Sequence, residues 1–257
     1  MTLYSLGFFN FEMRMIMNRT DYLISSFKEI GINLTSKQVE QFDKYYDLLV
    51  ERNKVVNLTA ITEYNEVVIK HFVDSVSIIR LANLSEPIKI IDIGTGAGFP
   101  GIPLKIVFPN LEIVLLDSLN KRLKFLNDVI EELGLDGNTI RTIHGRAEDY
   151  GQMESYREQF DLCVSRAVAN LATLSEYCLP FVKKSGSFIP YKAGDSQEEI
   201  TNARKAIKVL GGEIKTVDSF SLPNTDIDRT LIKIDKIAMT PKKYPRQAGK
   251  PKKEPIE

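Results

Sequence analysis

The chain has 257 residues, 43% of them hydrophobic, and 34 Lys+Arg against 34 Asp+Glu, for a formal net charge of zero. That length supports one sizeable domain with an appendage or two small ones, and that hydrophobic share excludes wholesale disorder. No run approaches the roughly 18 apolar residues of a membrane span. The only two cysteines, Cys163 and Cys178, lack CxxC spacing, which argues against a disulfide framework or a zinc site and for a reducing, cytoplasmic compartment.

Residues 1–16 are apolar at their start but lack the positive n-region and small-residue cleavage site of a secretory leader. With Met13, Met15 and Met17 close behind, they read as an extension upstream of the natural start. Helices are predicted over 21–31 and 36–53. Thr35 and Gln38 form a capping box for the second, and Val39, Phe42, Tyr46, Leu49 and Val50 recur at helical spacing. RNKVVNLTAI, residues 52–61, reads as a turn. A third helix is expected from Glu63 to Leu81 on the stripe Val68, Phe72, Val76 and Ile79. Ser85-Glu86-Pro87 then breaks the pattern, dividing a helical segment, 1–84, from a larger domain, 85–240.

That domain opens on IIDIGTGAGFPGIPL, residues 90–104. An apolar run ends in glycines at 94, 96, 98 and 101 and restarts as Ile102 to Phe108, which predicts strand, tight turn and helix. Pro100 and Pro103 suit a first helical turn, where a missing N–H costs nothing. Gly96, Gly98 and Gly101 satisfy the dinucleotide pattern G-x-G-x-x-G, and a glycine turn without ligand also stays open. The carboxylate of Asp92 tips the balance. A pyrophosphate gains nothing from it, whereas a cationic amino-acid ligand does, as in motif I of the Rossmann-like methyltransferases that bind S-adenosylmethionine, which this stretch resembles.

Strands and helices then alternate. Strands are predicted at 113–116, 139–143, 160–164 and 186–191, with helices at 121–133, 170–179 and 195–210 between or after them. Two further strands near 213–220 and 229–238, with no helix between them, imply an antiparallel closing hairpin. The whole reads as a doubly wound α/β fold with a seven-stranded, mostly parallel sheet, and Pro190 makes the end of its fifth strand irregular.

In such sheets ligands bind outside the carboxyl ends of the strands. The strand ends here are Asp92-Gly94-Gly96-Gly98-Phe99, Asp117-Ser118, Ala147-Glu148 and Ser165-Arg166. Asp117 lies where a carboxylate accepts from two ribose hydroxyls, Ala147 and Glu148 face an adenine edge, and Phe99 either shields the ligand or packs beneath the helix. Arg166, following the apolar FDLCV, must snorkel or pair at the cleft mouth. His71 and Asp74 share a helix face at i, i+3, either at the cleft or as a surface pair. Cys163 has nothing to depress its pKa, and no metal ligand cluster or hydrolytic triad is spaced for use. From Lys242 onward stand six basic residues and two acidic ones, leaving 28 basic and 32 acidic in the body, so positive charge gathers in a tail over 241–257.

RNKVVNLTAI, KHFVDS (70–75), DIGTGAGFPGIPL (92–104), GRAED (145–149), SRAVANL (165–171), YKAG (191–194) and YPRQAGKPKKEP (244–255), in this order, resemble the ribosomal RNA small subunit methyltransferase G family. This resemblance implies a Rossmann-like class I fold, S-adenosylmethionine as cofactor and transfer to N7 of a guanine in the 530 loop of bacterial 16S ribosomal RNA. It assigns cofactor contacts to Gly94, Phe99, Ala147, Glu148 and Arg166, with Asp117 and Ser118 on the ribose side and Arg166 near cofactor or guanine. Partners would be 16S RNA or the 30S subunit, met by a monomer whose basic tail, 242–257, contacts RNA. Deleting that tail is expected to weaken RNA binding alone.

The chemistry matches what is missing. Guanine N7 carries a free lone pair and attacks without first losing a proton, so no general base is required, and positioning suffices. A methyltransferase for another RNA or a small molecule, and a non-catalytic ribosome-assembly module, remain the alternative readings.

Overall fold

The computed structural model describes residues 18–166 and 168–256; residues 1–16, and the reading made of them, lie outside that range. Seven strands form one sheet: β1 (Lys89–Ile93), β2 (Glu112–Asp117), β3 (Ile140–His144), β4 (Phe160–Arg166), β5 (Val182–Ala193), β6 (Gly212–Ser221) and β7 (Asp228–Lys236). Their order is β3-β2-β1-β4-β5-β7-β6. β1 to β5 are parallel, and β7 runs antiparallel to both β5 and β6. The order reverses between β1 and β4, which opens a crevice above their carboxyl ends.

Alternate side chains enter two cores, as a period of two demands. Ile90, Ile113, Leu115, Leu162 and Leu231 face one; Ile91, Val114, Cys163 and Ile232 face the other. On the first face lie α1 (Arg19–Lys28), α2 (Ser36–Val56), α5 (Gly101–Val107) and α6 (Asn120–Glu132). The Thr35/Gln38 capping box is present. Gln38 also donates from Nε2 to the Ile106 and Val107 carbonyls (2.9 and 3.1 Å), and Gln41 donates to the Leu133 carbonyl (2.8 Å). Those are helix-end carbonyls that would otherwise be orphaned. Tyr22, Phe27, Phe42 and Tyr45 are buried in the same cluster as Ile90 and Leu115, so the core runs unbroken across residues 84 and 85.

The expected helix over 63–81 is four short pieces: α3 (Tyr64–Val67), a π-helical turn (Val68–Val73), α4 (Asp74–Val76) and a 3₁₀ turn (Ser77–Arg80). Within the π turn the Lys70 carbonyl accepts from Arg166 Nη1 at 3.0 Å, a contact with the sheet that no helical periodicity announces. Helix α2 runs three residues beyond its expected end. Asn57 at φ 52° terminates it, and Asn53 Oδ1 accepts from the Leu58 and Thr59 N–H groups at 2.6 and 2.9 Å.

The second face carries α7 (Ala147–Tyr150), α8 (Leu171–Cys178) and α9 (Gln197–Val209). Cys163 and Cys178 are free and buried there, and burial pushes the Cys163 thiol up, as expected of core cysteines. The C-terminal segment, read from sequence as a basic tail that contacts RNA, packs on the same side. Tyr244, Pro245 and Pro251 are buried and Arg246 is paired with Glu176, whereas Lys242, Lys243, Lys250, Lys252 and Lys253 remain exposed. No helix among the described residues is long and apolar enough to cross a membrane.

Candidate active site

A cavity of about 310 Å³ opens above the ends of β1, β2 and β3, lined by Ile93, Gly94, Leu116, Asp117, Arg122, Ala147, Glu148, Val168 and Tyr177 among others. Of the strand-end residues singled out by sequence, Gly94, Asp117, Ser118, Ala147 and Glu148 meet here. Gly94 turns the chain at φ +70°, and a Cβ there would stand 2.6 Å from Val168 Cγ2. Only glycine therefore keeps this rim open and its backbone within reach of a ligand. The Asp117 carboxylate is 2% exposed. It accepts from the N–H groups of Gly96 (3.0 Å) and Leu119 (2.8 Å) and from Arg122 Nη1 (3.3 Å). Glu148 Oε1 accepts from the Gly249 N–H at 2.9 Å.

Asp92, expected to meet the ligand, does not line this cavity. It is fully buried and turned into its own loop, where Oδ2 accepts from Thr95 Oγ1 (2.7 Å) and the Gly101 N–H (3.0 Å) while Oδ1 is without a partner. A strand-end carboxylate beneath a tight turn takes the nearest donors, so Asp92 shapes the turn that Gly94 and Gly96 present. Burial is the largest cause that raises its pKa to about 7. From its ordinary value up to about pH 7 the folded state thus holds a proton that the unfolded chain has released, and stability falls as pH rises through that window. Urea unfolding of the wild type relative to Asp92→Asn should show this: the wild type loses roughly 2–4 kcal/mol between about pH 4 and 7 and then levels off. A difference independent of pH would refute the assignment.

Gly96 and Gly98 belong to the turn but lie outside the cavity lining, and Gly96 acts through its N–H on Asp117. Phe99 is 6% exposed in an aromatic cluster with Tyr45, Phe72 and His71, so it packs beneath the site.

Arg166 faces a second cavity of about 310 Å³, lined by Ile61, Lys70, His71, Asp74, Tyr191, Lys192, Ala193 and Arg229. Arg166 ends β4 and lines the second cavity, and Val168, two residues further along the chain, lines the first. Arg166 donates to Asp74 Oδ2 (3.0 Å) and lies 5.0 Å from the Phe99 ring centroid; Arg229 Nε donates to Asp74 Oδ1 (3.1 Å). Asp74 is 2% exposed, so the surface pairing considered for His71 and Asp74 gives way to a buried centre. Burial first and the neighbouring Arg166 second push His71 down to about 3, leaving its ring neutral. Its Nε2 lies 2.8 Å from Thr59 Oγ1 and its Nδ1 3.1 Å from Arg166 Nη2. Sequence reasoning missed Arg122, Tyr177 and Arg229. Arg229 carried no signal beyond a cation opening an apolar strand.

A glycine turn after the first strand, an acid ending the second, a cavity above both and an antiparallel seventh strand define a class I S-adenosylmethionine-dependent methyltransferase. The residues present fit that cofactor: Asp117 places a carboxylate at the end of β2, Gly94 an open backbone, and Ile93, Leu116, Val168 and Tyr177 apolar walls. Residues 38–231 match the family model described as rRNA small subunit methyltransferase G, and the chain belongs to that family. It is 52% identical over 240 residues to the ribosomal RNA small subunit methyltransferase G of Lachnoclostridium phytofermentans, covering 93% of this chain and 98% of that one. The same-named protein of a Thermoanaerobacter species is 54% identical over 236 residues, covering 92% and 98%. At 12–13% identity two solved structures share the fold alone. The YcgJ protein of Bacillus subtilis has a TM-score of 0.51, covering 65% of this chain and 98% of that one, and P. horikoshii TYW2 in complex with MeSAdo has 0.50, covering 64% and 61%.

Proposed function

We propose that this chain methylates N7 of a guanine in the 530 loop of 16S ribosomal RNA, with Gly94, Asp117, Ser118, Ala147 and Glu148 holding S-adenosylmethionine. The observation that carries this reading is the second cavity: cationic, lined by Arg166 two residues before Val168 of the first, and without a usable general base. Asp74 is occupied by two guanidiniums, His71 at about 3 is too weak a base near neutral pH, and burial raises the Tyr191 hydroxyl well above its ordinary value. A nucleophile that needs no deprotonation suits such a site. When bound, S-adenosylmethionine supplies a methyl on a positively charged sulfur. The protein's part is to hold N7 in line with it and to exclude water. N7 must stay unbonded to attack, which leaves the donors of Arg166, Lys192 and Arg229 for the guanine O6 and the phosphates.

A base splayed from a single-stranded loop fits a pocket of this kind. The exposed lysines at 242, 243, 250, 252 and 253 add phosphate contacts on 16S RNA or the 30S subunit, and the chain acts as a cytoplasmic monomer. Mapping N7-methylguanine in small-subunit RNA from cells with and without the protein tests the reaction, and a modification unchanged by its loss would reject it. Arg229→Ala is expected to lower methyl transfer to RNA by at least about tenfold, since a lost charged hydrogen bond is worth about 1.5–3 kcal/mol. Its affinity for S-adenosylmethionine should stay within about twofold, because Arg229 lines only the second cavity.

A further inference from the structure

The C-terminal segment grips, from outside, two elements that wall the first cavity. One is α7, a four-residue turn carrying Ala147 and Glu148 and too short to hold its place by its own hydrogen bonds. The Gly249 N–H donates to Glu148 Oε1 at 2.9 Å. Gly151, which closes α7, lies against Pro245: a Cβ there would come within 2.9 Å of Pro245 Cγ. Arg157 spans the seam, with Nη1 donating to the carbonyls of Gly151 (2.9 Å) and Tyr244 (2.7 Å) and Nη2 to that of Thr240 (2.6 Å).

The other element is α8, which carries Tyr177. Its Glu176, with a side chain 1% exposed, receives Arg246 at both oxygens, from Nε at 2.9 Å and from Nη2 at 2.7 Å. The Arg246 backbone N–H reaches the same carboxylate at 2.7 Å. Thr173 Oγ1 donates to the Pro251 carbonyl at 3.1 Å. A buried bidentate pair fixes orientation as well as distance, and a lone Glu176 would be an uncompensated charge.

We propose that residues 240–256 form a cofactor-positioning element: they set the Glu148 and Tyr177 walls of the first cavity, and RNA phosphates gripping their exposed lysines tighten cofactor binding. This rests on reading the first cavity as the cofactor site. It replaces the expectation that losing the tail harms RNA binding alone. Linkage makes the effect reciprocal, so bound cofactor also strengthens the segment's hold on RNA.

The test is calorimetric titration of the full-length wild type, Arg246→Ala and Arg246→Lys at a temperature where circular dichroism finds each fully folded. The ligands are S-adenosylmethionine and methylthioadenosine, which lacks the amino-acid portion. Arg246→Ala should weaken both by the same factor, roughly five- to tenfold, within the range ordinary coupling covers. Arg246→Lys keeps the charge without the fork; it should fall between, and it serves alone if the alanine variant does not fold. A small-subunit RNA transcript should raise cofactor affinity in the wild type and less in the variants. Folded variants with wild-type affinity for both ligands, or with a loss confined to RNA binding, overturn the proposal. Failure of the wild type to bind either ligand overturns the underlying cofactor reading, and this proposal with it.

Discussion

Asp117→Ala should weaken S-adenosylmethionine binding about 100-fold while leaving the protein folded. The carboxylate stands at the mouth of the first cavity at the end of β2, 2% exposed, and holds the Gly96 N–H at 3.0 Å. Its loss has two consequences: the ribose loses its charged acceptor, and the glycine turn loses the anchor that aims its backbone at the ligand. Hydrogen bonds to charged groups are worth about 1.5–3 kcal/mol each, so together these approach about 3 kcal/mol, or two decades in affinity. Arg122 is then left without the carboxylate it touches at 3.3 Å, but its side chain is 32% exposed and water can take over. Calorimetric titration measures the loss directly, and less than about tenfold in a folded variant would remove Asp117 from the cofactor site.

Asp74→Ala should be the most damaging single change in the second cavity, lowering unfolding free energy by about 3–5 kcal/mol and methyl transfer to RNA by at least about 100-fold. Asp74 is 2% exposed and carries two guanidiniums whose side chains are only 14% and 18% exposed. Removing the shared anion strands two largely desolvated cations and frees both arms that line the pocket. Urea unfolding reads the first effect, and single-turnover methyl transfer at saturating cofactor reads the second. If Asp74→Ala matched the wild type in stability, the two pairs would be ordinary surface ion pairs, and the pocket would need another organiser.

The legible parts of this chain were those written in short-range pattern. Thr35 and Gln38 announced the start of α2 because a capping box is complete within four residues. The near-continuous apolar runs at 113–116 and 160–164 announced parallel strands buried on both faces. The glycine turn and Asp117 announced the first cavity because strand ends of a doubly wound sheet converge there whatever the intervening loops do. The helix over 63–81 was misjudged because its apolar stripe is real but carries no trace of the π turn, which meets Arg166 some 96 residues further on. Asp92 was read as a ligand because a sequence shows an acid beside a turn, not which way the carboxylate points.

By itself, then, the sequence determined the fold class and the strand ends that meet at one cavity. Both follow from periodicity and from chemistry between near neighbours. Tertiary structure alone decided that Asp74 gathers Arg166 and Arg229, that Asp92 is buried beneath its own turn, and that a basic C-terminus braces Glu148 and α8. Each of those depends on groups roughly 70 to 155 residues apart meeting, or on which side of a turn a side chain is shut away from water. Local pattern does not encode such meetings, because the energy that selects them comes from burying both partners together.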